Sequence, residues 1–471
     1  MDPDALPTLS ASQMANSVRQ RDVSALELTE AHLARIDQLQ PTVNAFACVD
    51  RDGAREQARR ADEALREGRE VGALHGVPIS IKSSISVKSL LCEAGSPLMR
   101  GNIAHEDAVC VARLRAAGAI ILGTTNLPEM LMAYESDNDL YGRVNHPDHP
   151  DRTPGGSSGG EAGAVASGMS AAGVGSDSGG SVRVPAHYSG ICALKATPGR
   201  IPGTGHDPQC LGPFSLLGCV GPMTRTVGDL RLMLQVMGGA DDGDVMADPV
   251  PLDLSPCKRK LRIGYMEQHA SAPVTADTRR AVQLASECLR KAGHEVFEFS
   301  LSGLEAVRDV WWTFFVKAGE ALLRKAYLGH EHEMSWILRD FMQTAARTAP
   351  LHSDALLDAW VQRDLLRARM MREFREVDVW LTPVCSIPAF RHREREWTIE
   401  GCRVEYLDAM SYTQWSNVLG NPCAVVPTTR TAEGLPIGVQ VVGRPWEEGL
   451  VLEVAEQMEA QLIKNRPGAI R

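Results

Sequence analysis

The residues of this sequence best suited to chemistry are the serines and glycines of one stretch. TPGGSSGGEAGAVASGMSAAGVGSDSGGSVRVPAH, residues 153–187, contains almost no bulky side chain. Its glycines flank an alanine-rich centre, which predicts a glycine loop, a short helix and a second glycine loop rather than a uniform linker. Glycine tolerates positive φ and has no Cβ, so the N–H groups of such loops can converge on an anion. That anion could be a phosphate or the oxyanion of acyl transfer.

Short motifs discriminate between these anions. Neither GxxxxGK[ST] nor a GxGxxG between a strand and a helix occurs in the stretch, which argues against a nucleotide phosphate. The run GSSGG, residues 156–160, fits GxSxG and would place Ser158 at a nucleophile elbow, but an elbow needs a strand directly before the serine. DHPDRTPG does not have the composition of a strand. An oxyanion site is therefore favoured, and the Ser158 elbow is the weaker alternative.

Motifs on both sides of the stretch resemble the amidase signature family of serine amidohydrolases. GVPISIK precedes the stretch and LKATPGRIP follows it. The similarity extends over most of the chain through the runs TNLPE, ESDNDLYGRVNHP, GPMTRTVGDL and LPIGVQVVG. The resemblance implies hydrolysis of a C–N bond beside a carbonyl, with no metal ion and no organic cofactor.

The resemblance also implies a catalytic triad of Lys82, Ser157 and Ser181. Lys82 lies in the GVP-x-x-x-K run, Ser157 would follow a cis peptide bond, and Ser181 would be the nucleophile. To be neutral near pH 7 a lysine must lose about three pKa units, which burial in an apolar strand can cause. Because a hydroxyl both donates and accepts, Ser157 could relay the proton of Ser181 to Lys82. The alternative makes Lys82 a surface residue and both serines ordinary turn residues.

The residues around the second glycine loop are predicted to support this chemistry. The predicted oxyanion hole consists of the backbone N–H groups of Ser178, Gly179 and Gly180, with that of Ser181 beside them. Ser158 could orient the cis pair or Lys82, or be a plain turn residue. Asp177 and Arg183 are predicted to bind each other or nearby backbone and to support the loop without reacting.

Methionine and aromatic residues near these motifs favour an apolar substrate. The predicted pocket residues are Met130, Met132, Tyr134, Trp311 and Phe315. Adaptable methionines and flat aromatic rings suit an apolar or aryl group, although core packing is the alternative for every one of them. We therefore expect a small or medium hydrophobic amide, or an aryl amide. Esters and carbamates (urethanes) are further candidates because their carbonyls fit the same oxyanion site.

Two other functions remain open at this point. One is the glutamine-hydrolysing A subunit of a tRNA-dependent amidotransferase, although ESDNDLYGRVNHP resembles the stand-alone amidases more. The other is a noncatalytic protein that holds a carboxylate in the amide nest; the presence of Lys82, Ser157 and Ser181 together argues against it. Homodimers are common in the family, and the sequence carries no further indication of the oligomeric state.

The surrounding sequence predicts an α/β protein that holds these loops. Helical spacing of apolar residues alternates with β-branched runs. Helices are predicted at 25–38, 51–68, 106–119 and 447–462, and strands at 76–87, 119–126, 261–267 and 435–443. We expect a central mixed β-sheet with helices on both faces, formed by a single domain over residues 1–471. Its signature core would span about residues 70–235, and a helical cap would span about residues 304–376.

Composition narrows the partners and the compartment. The net charge of -10, from 49 Lys and Arg against 59 Asp and Glu, disfavours nucleic acid. No run approaches 18 apolar residues and the start is not a signal peptide, so we expect a cytoplasmic protein without a membrane partner. The 11 cysteines form no CxxC pair. GHEHE, residues 329–333, lacks HExxH spacing, which favours a solvated helix end over a metal site.

Overall fold

Strands of mixed direction run through the centre of the protein. The computed structural model describes residues 5–464. The strands of this region are β1 (Phe46–Val49), β2 (Pro78–Lys82), β3 (Ile120–Thr125), β4 (Ala172–Asp177), β5 (Cys192–Lys195), β6 (Cys219–Thr224), β7 (Arg262–Tyr265), β8 (Glu295–Glu298), β9 (Val379–Pro383), β10 (Glu396–Ile399), β11 (Cys402–Glu405), β12 (Cys423–Arg430) and β13 (Pro436–Val442). Eleven of them form one sheet in the order β1-β3-β2-β4-β6-β5-β12-β13-β9-β7-β8, and β10 pairs with β11 separately.

Helices flank this sheet. They are α1 (Ala11–Gln20), α2 (Ala25–Val43), α3 (Arg51–Arg66), α4 (Val109–Ala116), α5 (Gly159–Ala166), α6 (Arg183–Ser189), α7 (Val227–Met237), α8 (Ala276–Lys291), α9 (Leu304–Trp311), α10 (Ala318–Ala326), α11 (Trp336–Ala346), α12 (Ser353–Glu373), α13 (Ser411–Leu419) and α14 (Glu448–Lys464). A π-helical segment, Trp312–Lys317, joins α9 to α10. The expected α/β fold with a central mixed sheet is confirmed.

Three parallel strands determine where the functional loops lie. β2 pairs in parallel with β3 on one side and with β4 on the other. Because the carboxyl ends of parallel strands share one edge of a sheet, the ends of β2, β3 and β4 lie next to each other. The crossover from β3 to β4 contains α5, so the first glycine loop lies at this edge too. Every residue of these three strands is buried.

The sequence prediction missed two elements inside the small-residue stretch. AGVGSD forms β4, which lies inside the sheet between β2 and β6, and RVPAHYS forms α6 directly after the second loop. Gly, Ala and Ser have low strand propensity, so nothing local indicates β4. The stretch is buried almost throughout, which excludes a flexible linker.

Apolar residues form two large clusters. One contains β2, β3 and the opening helices α1 and α2. The other contains α9, α12, α13 and the aromatic residues between them. The region predicted as a helical cap, 304–376, is helical over most of its length, as α9 to α12. The single-domain division and the limits of its core and cap remain predictions.

Candidate active site

Lys82 is the last residue of β2, and its side chain is completely buried. Its Nζ lies 2.6 Å from Ser157 Oγ, 3.0 Å from Ser158 Oγ and 3.1 Å from Ser176 Oγ. Burial lowers the pKa of Lys82 from 10.5 to about 7, against the opposing charges of Asp177 and Glu161. At that pKa the amine is neutral in about half of the molecules at pH 7, and its lone pair can accept a hydroxyl proton.

The first glycine loop brings two serine hydroxyls to this amine. The Gly156–Ser157 peptide bond is cis. Ser158 follows, and α5 begins directly after it. The second residue of this helix, Gly160, packs so closely against β3 and its loop that a Cβ would lie 2.4 Å from the carbonyl oxygen of Asn126. No strand precedes Ser158 in the described loop, so the GxSxG elbow is wrong. The Ser158 hydroxyl instead contacts Lys82 and the carbonyl of Ser176.

The second glycine loop joins β4 to α6 and is anchored by a buried ion pair. Arg183 Nη2 lies 2.8 Å from Asp177 Oδ1, and both side chains are fully buried. Burial alone would raise the pKa of Asp177, but the charge and hydrogen bonds of Arg183 hold that pKa below its usual value. The same carboxylate accepts the N–H groups of Gly180 and Val182. Asp177 and Arg183 thus bind each other and the loop backbone.

This anchor changes the predicted set of oxyanion donors. The Gly180 N–H donates to Asp177 Oδ1 at 2.8 Å, so its inclusion in the oxyanion hole is wrong for this conformation. Gly180 has φ 128°, and a Cβ there would lie 2.4 Å from Thr413 Oγ1, which explains the glycine. Within residues 5–464, the N–H groups of Ser178, Gly179 and Ser181 have no hydrogen-bond acceptor.

The carbonyl groups of the second loop are held from behind. Trp311 Nε1 donates to the carbonyl oxygen of Ser178 at 3.0 Å. The hydroxyls of Tyr134 and Thr413 donate to the carbonyl oxygen of Gly179 at 2.8 and 2.7 Å. Since C=O and the following N–H point in opposite directions in a trans peptide, the contact with Trp311 turns the Gly179 N–H away from the indole.

An apolar cavity of about 200 Å³ opens beside the two glycine loops. Its lining is Met130, Leu131, Met132, Ser157, Ser176, Ser178, Ser181, His206, Pro208, Gln209, Cys210, Phe214, Phe315, Gly319, Leu322, Leu323 and Ala326. Met130, Met132 and Phe315 line it, as the sequence predicted. Tyr134 and Trp311 are not part of this lining, because they bind the backbone of the second loop. No lining residue is Asp, Glu, Lys or Arg.

Ser157, Ser178 and Ser181 were predicted as site residues, and the remaining lining residues were not predicted from the sequence. Phe214 and Pro208 belong to the segment after β5, while Leu322, Leu323 and Ala326 lie on α10. A second, smaller cavity of about 90 Å³ shares four wall residues with the first, namely Ser176, His206, Gln209 and Cys210. The two cavities therefore adjoin at that wall.

Ser181 lies in the cavity wall at the end of the second loop and is 9% exposed. Its carbonyl oxygen accepts the Ser158 N–H at 3.0 Å, which ties the two glycine loops together. Within the described chain, Ser181 Oγ makes no hydrogen bond to Ser157 Oγ. The structure thus contains the lysine–serine contact of the predicted relay, and the serine–serine contact is not formed in this conformation.

A buried carboxyl group, Glu161, lies near Lys82 and was missed by the sequence prediction. It is on the first turn of α5 and accepts the hydroxyls of Ser80 on β2 at 2.7 Å and of Thr125 on β3 at 2.8 Å. Burial raises the pKa of Glu161 to about 8. No arginine or lysine within 5–464 forms an ion pair with it. It is therefore a second buried titratable group coupled to the candidate base.

Features of metal sites and membrane spans are absent from the part of the chain that the structure describes. Residues 5–464 contain no group of three or more His, Cys, Asp or Glu side chains arranged to hold a metal ion. In GHEHE, His330 Nδ1 lies 2.7 Å from Glu333 Oε1 in a single turn. None of the helices described is both long enough and apolar enough to cross a membrane.

Known proteins resemble the chain over nearly its whole length. Residues 27–452 match the family model described as Amidase. The A subunit of the glutamyl-tRNA(Gln) amidotransferase of Roseiflexus castenholzii is 34% identical, covering 95% of this chain and 94% of that protein. The indoleacetamide hydrolase of Bradyrhizobium diazoefficiens is 32% identical, covering 98% of this chain and 87% of that protein.

A solved structure has the same fold. The crystal structure of a bacterial aryl acylamidase of the amidase signature enzymes matches with a TM-score of 0.86 and 25% identity, covering 98% of this chain and 99% of that one. Family model, relatives and structure thus agree over the same residues. The chain belongs to the amidase signature family, and the protein is an enzyme that hydrolyses amide C–N bonds.

Proposed function

We propose that the protein hydrolyses small or medium hydrophobic or aryl amides through an acyl-enzyme on Ser181. One observation carries this proposal. The fully buried Lys82 amine lies 2.6 Å from Ser157 Oγ, and Ser157 and Ser181 both line an apolar cavity. A base, a relay hydroxyl and a nucleophile thus border the space that an acyl group would fill.

Acylation begins when Ser181 Oγ bonds to the substrate carbonyl carbon. Its proton passes to Ser157 Oγ as the proton of Ser157 passes to the neutral Lys82 amine, and the carbonyl π electrons move to oxygen. The re-forming C=O then expels the nitrogen, and Lys82 returns the proton to it through Ser157. Water repeats the sequence on the ester and releases the acid. This relay requires Ser181 Oγ to form a hydrogen bond to Ser157 Oγ when the substrate is bound.

The oxyanion is expected to bind the free N–H groups of the second loop. Ser178, Gly179 and Ser181 are the candidate donors, since Gly180 is engaged by Asp177. Loss of one such donor typically lowers the rate by about 10²–10³-fold. Arg183 and the Tyr134 and Trp311 contacts would act by holding this backbone in place.

The cavity supports an apolar acyl group of moderate size. An apolar cavity of about 150 Å³ accepts benzene, so about 200 Å³ can hold one aromatic ring and a few further atoms. Phe214, Phe315 and Met132 offer faces for such a ring. The adjoining smaller cavity offers separate room for a leaving amine or for ammonia. Esters and carbamates of the same acyl shape are expected to react as well.

Two alternatives fit the cavity less well. Glutamine would bring a charged α-ammonium and α-carboxylate into a space without a charged lining residue, at a large desolvation cost. The sequence similarity to the A subunit of an amidotransferase nevertheless keeps glutaminase activity as the second candidate. A noncatalytic carboxylate-binding role would favour a charged lysine, and so it does not account for the lowered pKa of Lys82.

Intact-mass measurement with an aryl phosphonate tests the proposal. We expect one covalent adduct on the wild type and none on Ser181→Ala. Ser158→Ala is the matched control, because it removes a neighbouring hydroxyl that also contacts Lys82, and it should keep the adduct. An adduct on Ser158 or on a cysteine would contradict the assignment.

Substrate class is tested with primary amides of equal length. We expect turnover of an arylacetamide at a higher kcat/KM than that of glutamine, with and without added amidotransferase partner subunits. Efficient glutamine hydrolysis that depends on such partners would favour the second candidate. An adduct on Ser181 together with no turnover of any aryl or alkyl amide would support Ser181 as the nucleophile and refute the proposed substrate class.

A further inference from the structure

The outer face of α12 carries an apolar stripe that no other part of the described chain covers. Leu357, Val361 and Leu365 are 64%, 58% and 57% exposed. They are four residues apart, so at about 3.6 residues per turn they follow one line along the helix. The inner face packs against α9 and α13. Its buried side chains are Ala359, Leu366 and Met370.

Two neighbours widen the stripe. Trp360 is 36% exposed and contacts Phe314 edge-to-face, so its ring extends the apolar surface on one side. Met371 is 40% exposed at the far end of the helix. Single exposed apolar residues are ordinary, but several on one helix face mark a surface that binds another macromolecule.

Charges along α12 show which partner fits. Asp354 and Asp358 lie in its first half, and Arg369 and Arg372 lie in its second half. All four are exposed, and none forms an ion pair within residues 5–464. At about 3.6 residues per turn, Asp354 and Arg372 lie in line with the stripe, while Asp358 and Arg369 lie on one flank of it. The outer face therefore has one acidic end and one basic end.

We propose that α12 forms the interface of a symmetric homodimer in which two copies of this helix pack antiparallel. A two-fold axis near the helix midpoint places Val361 against Leu365 of the partner subunit. It also places Asp354 near the partner's Arg372, and Asp358 near the partner's Arg369, on the same flank. A parallel pair would bring acidic end to acidic end. The charges therefore suit a second copy of this chain in one orientation only.

Charge reversal tests this orientation on the full-length protein by sedimentation equilibrium. We expect the wild type to have twice the chain mass of 51.1 kDa. Asp354→Arg and Arg372→Asp should each weaken the dimer about tenfold or more, because each places two like charges together twice per dimer. The double variant restores the opposite pairs and should recover most of the affinity. Glu70→Arg, an exposed reversal in the loop after α3, is the matched control.

The outcomes separate this dimer from other assemblies. Val361→Asp should give a monomer with an unchanged circular dichroism spectrum, since Val361 is exposed in the single chain. A wild type that stays monomeric up to its solubility limit would overturn the proposal. So would a dimer that neither single reversal weakens, or a double variant that is no tighter than the singles.

Discussion

The low pKa of Lys82 should be measurable as a cost in stability, because the fold keeps neutral a group that is charged when unfolded. The unfolded chain holds the Lys82 proton up to about pH 10.5, whereas the folded protein releases it near pH 7. Between these values the unfolded state binds one proton more, so stability rises with pH. Lys82→Met removes this dependence and also removes the base.

The size of the effect follows from the two pKa values. A difference of about 3.5 units at about 1.4 kcal/mol per unit gives a penalty of about 5 kcal/mol well below pH 7, and of slightly more than 4 kcal/mol at pH 7, where about half of the folded molecules already hold the neutral amine. The penalty shrinks as the unfolded lysine loses its proton, and between about pH 8 and 9.5 it falls by about 2 kcal/mol. Lys82→Met also loses hydrogen bonds to Ser157 and Ser158, which lowers its stability by an amount that does not depend on pH in this range.

Urea unfolding of wild type and Lys82→Met across this pH range measures the effect. We expect the unfolding free energy of the wild type to gain about 2 kcal/mol relative to the variant from about pH 8 to 9.5. Glu161 titrates in both proteins and largely cancels in the difference. Lys88→Met, which removes an exposed lysine, should show no such gain. Parallel pH dependences for wild type and Lys82→Met would refute a neutral buried lysine.

Three further predictions concern activity and the loop. The kcat/KM of the wild type should rise with pH through about 7, and Glu161→Gln should leave the midpoint of this rise nearly unchanged, because Glu161, whose pKa is about 8, is mostly protonated at pH 7 and adds little negative charge near Lys82; a full pH profile checks both. Arg183→Met should lower the unfolding free energy by about 3–5 kcal/mol, since it leaves Asp177 buried without a cation, as urea unfolding at neutral pH can show. Thr413→Val should lower kcat about tenfold with little change in KM, because it removes one of the two hydroxyls that hold the Gly179 carbonyl of the second loop and leaves only that of Tyr134; steady-state kinetics on one amide decides, and an equal change in KM would contradict it.

The local part of the site could be predicted from the sequence. The motif GVPISIK is a run of apolar and β-branched residues, which indicates a buried strand, and that strand carries Lys82. The glycines around Ser157 and Ser181 are adjacent in sequence to the residues they accommodate. Each of these inferences depends on residues that are close together in the chain, and such local patterns can be recognised in a single sequence.

Contacts between distant segments could not be predicted in the same way. Trp311 and Tyr134 were assigned to the pocket from their apolar character, but each has a polar group that binds a carbonyl of the second loop. Thr413 lies more than two hundred residues after Gly180 in the sequence, and only the packing of α13 brings it there. Likewise, the Gly180 N–H could be assigned to Asp177 only once the loop conformation was known.

The apolar cavity and the neutral lysine have one physical cause. Desolvation lowers the pKa of Lys82, and the same lack of charge in the cavity lining favours an uncharged acyl group. A substrate carboxylate bound there without a cationic partner would raise the pKa of Lys82 and leave more of it protonated, and therefore unable to act as a base. A charged analogue of a good amide substrate should therefore lose kcat as well as affinity, with its pH profile shifted upward. The proposed preference for apolar amides thus follows from the desolvation that keeps Lys82 neutral and able to act as a base.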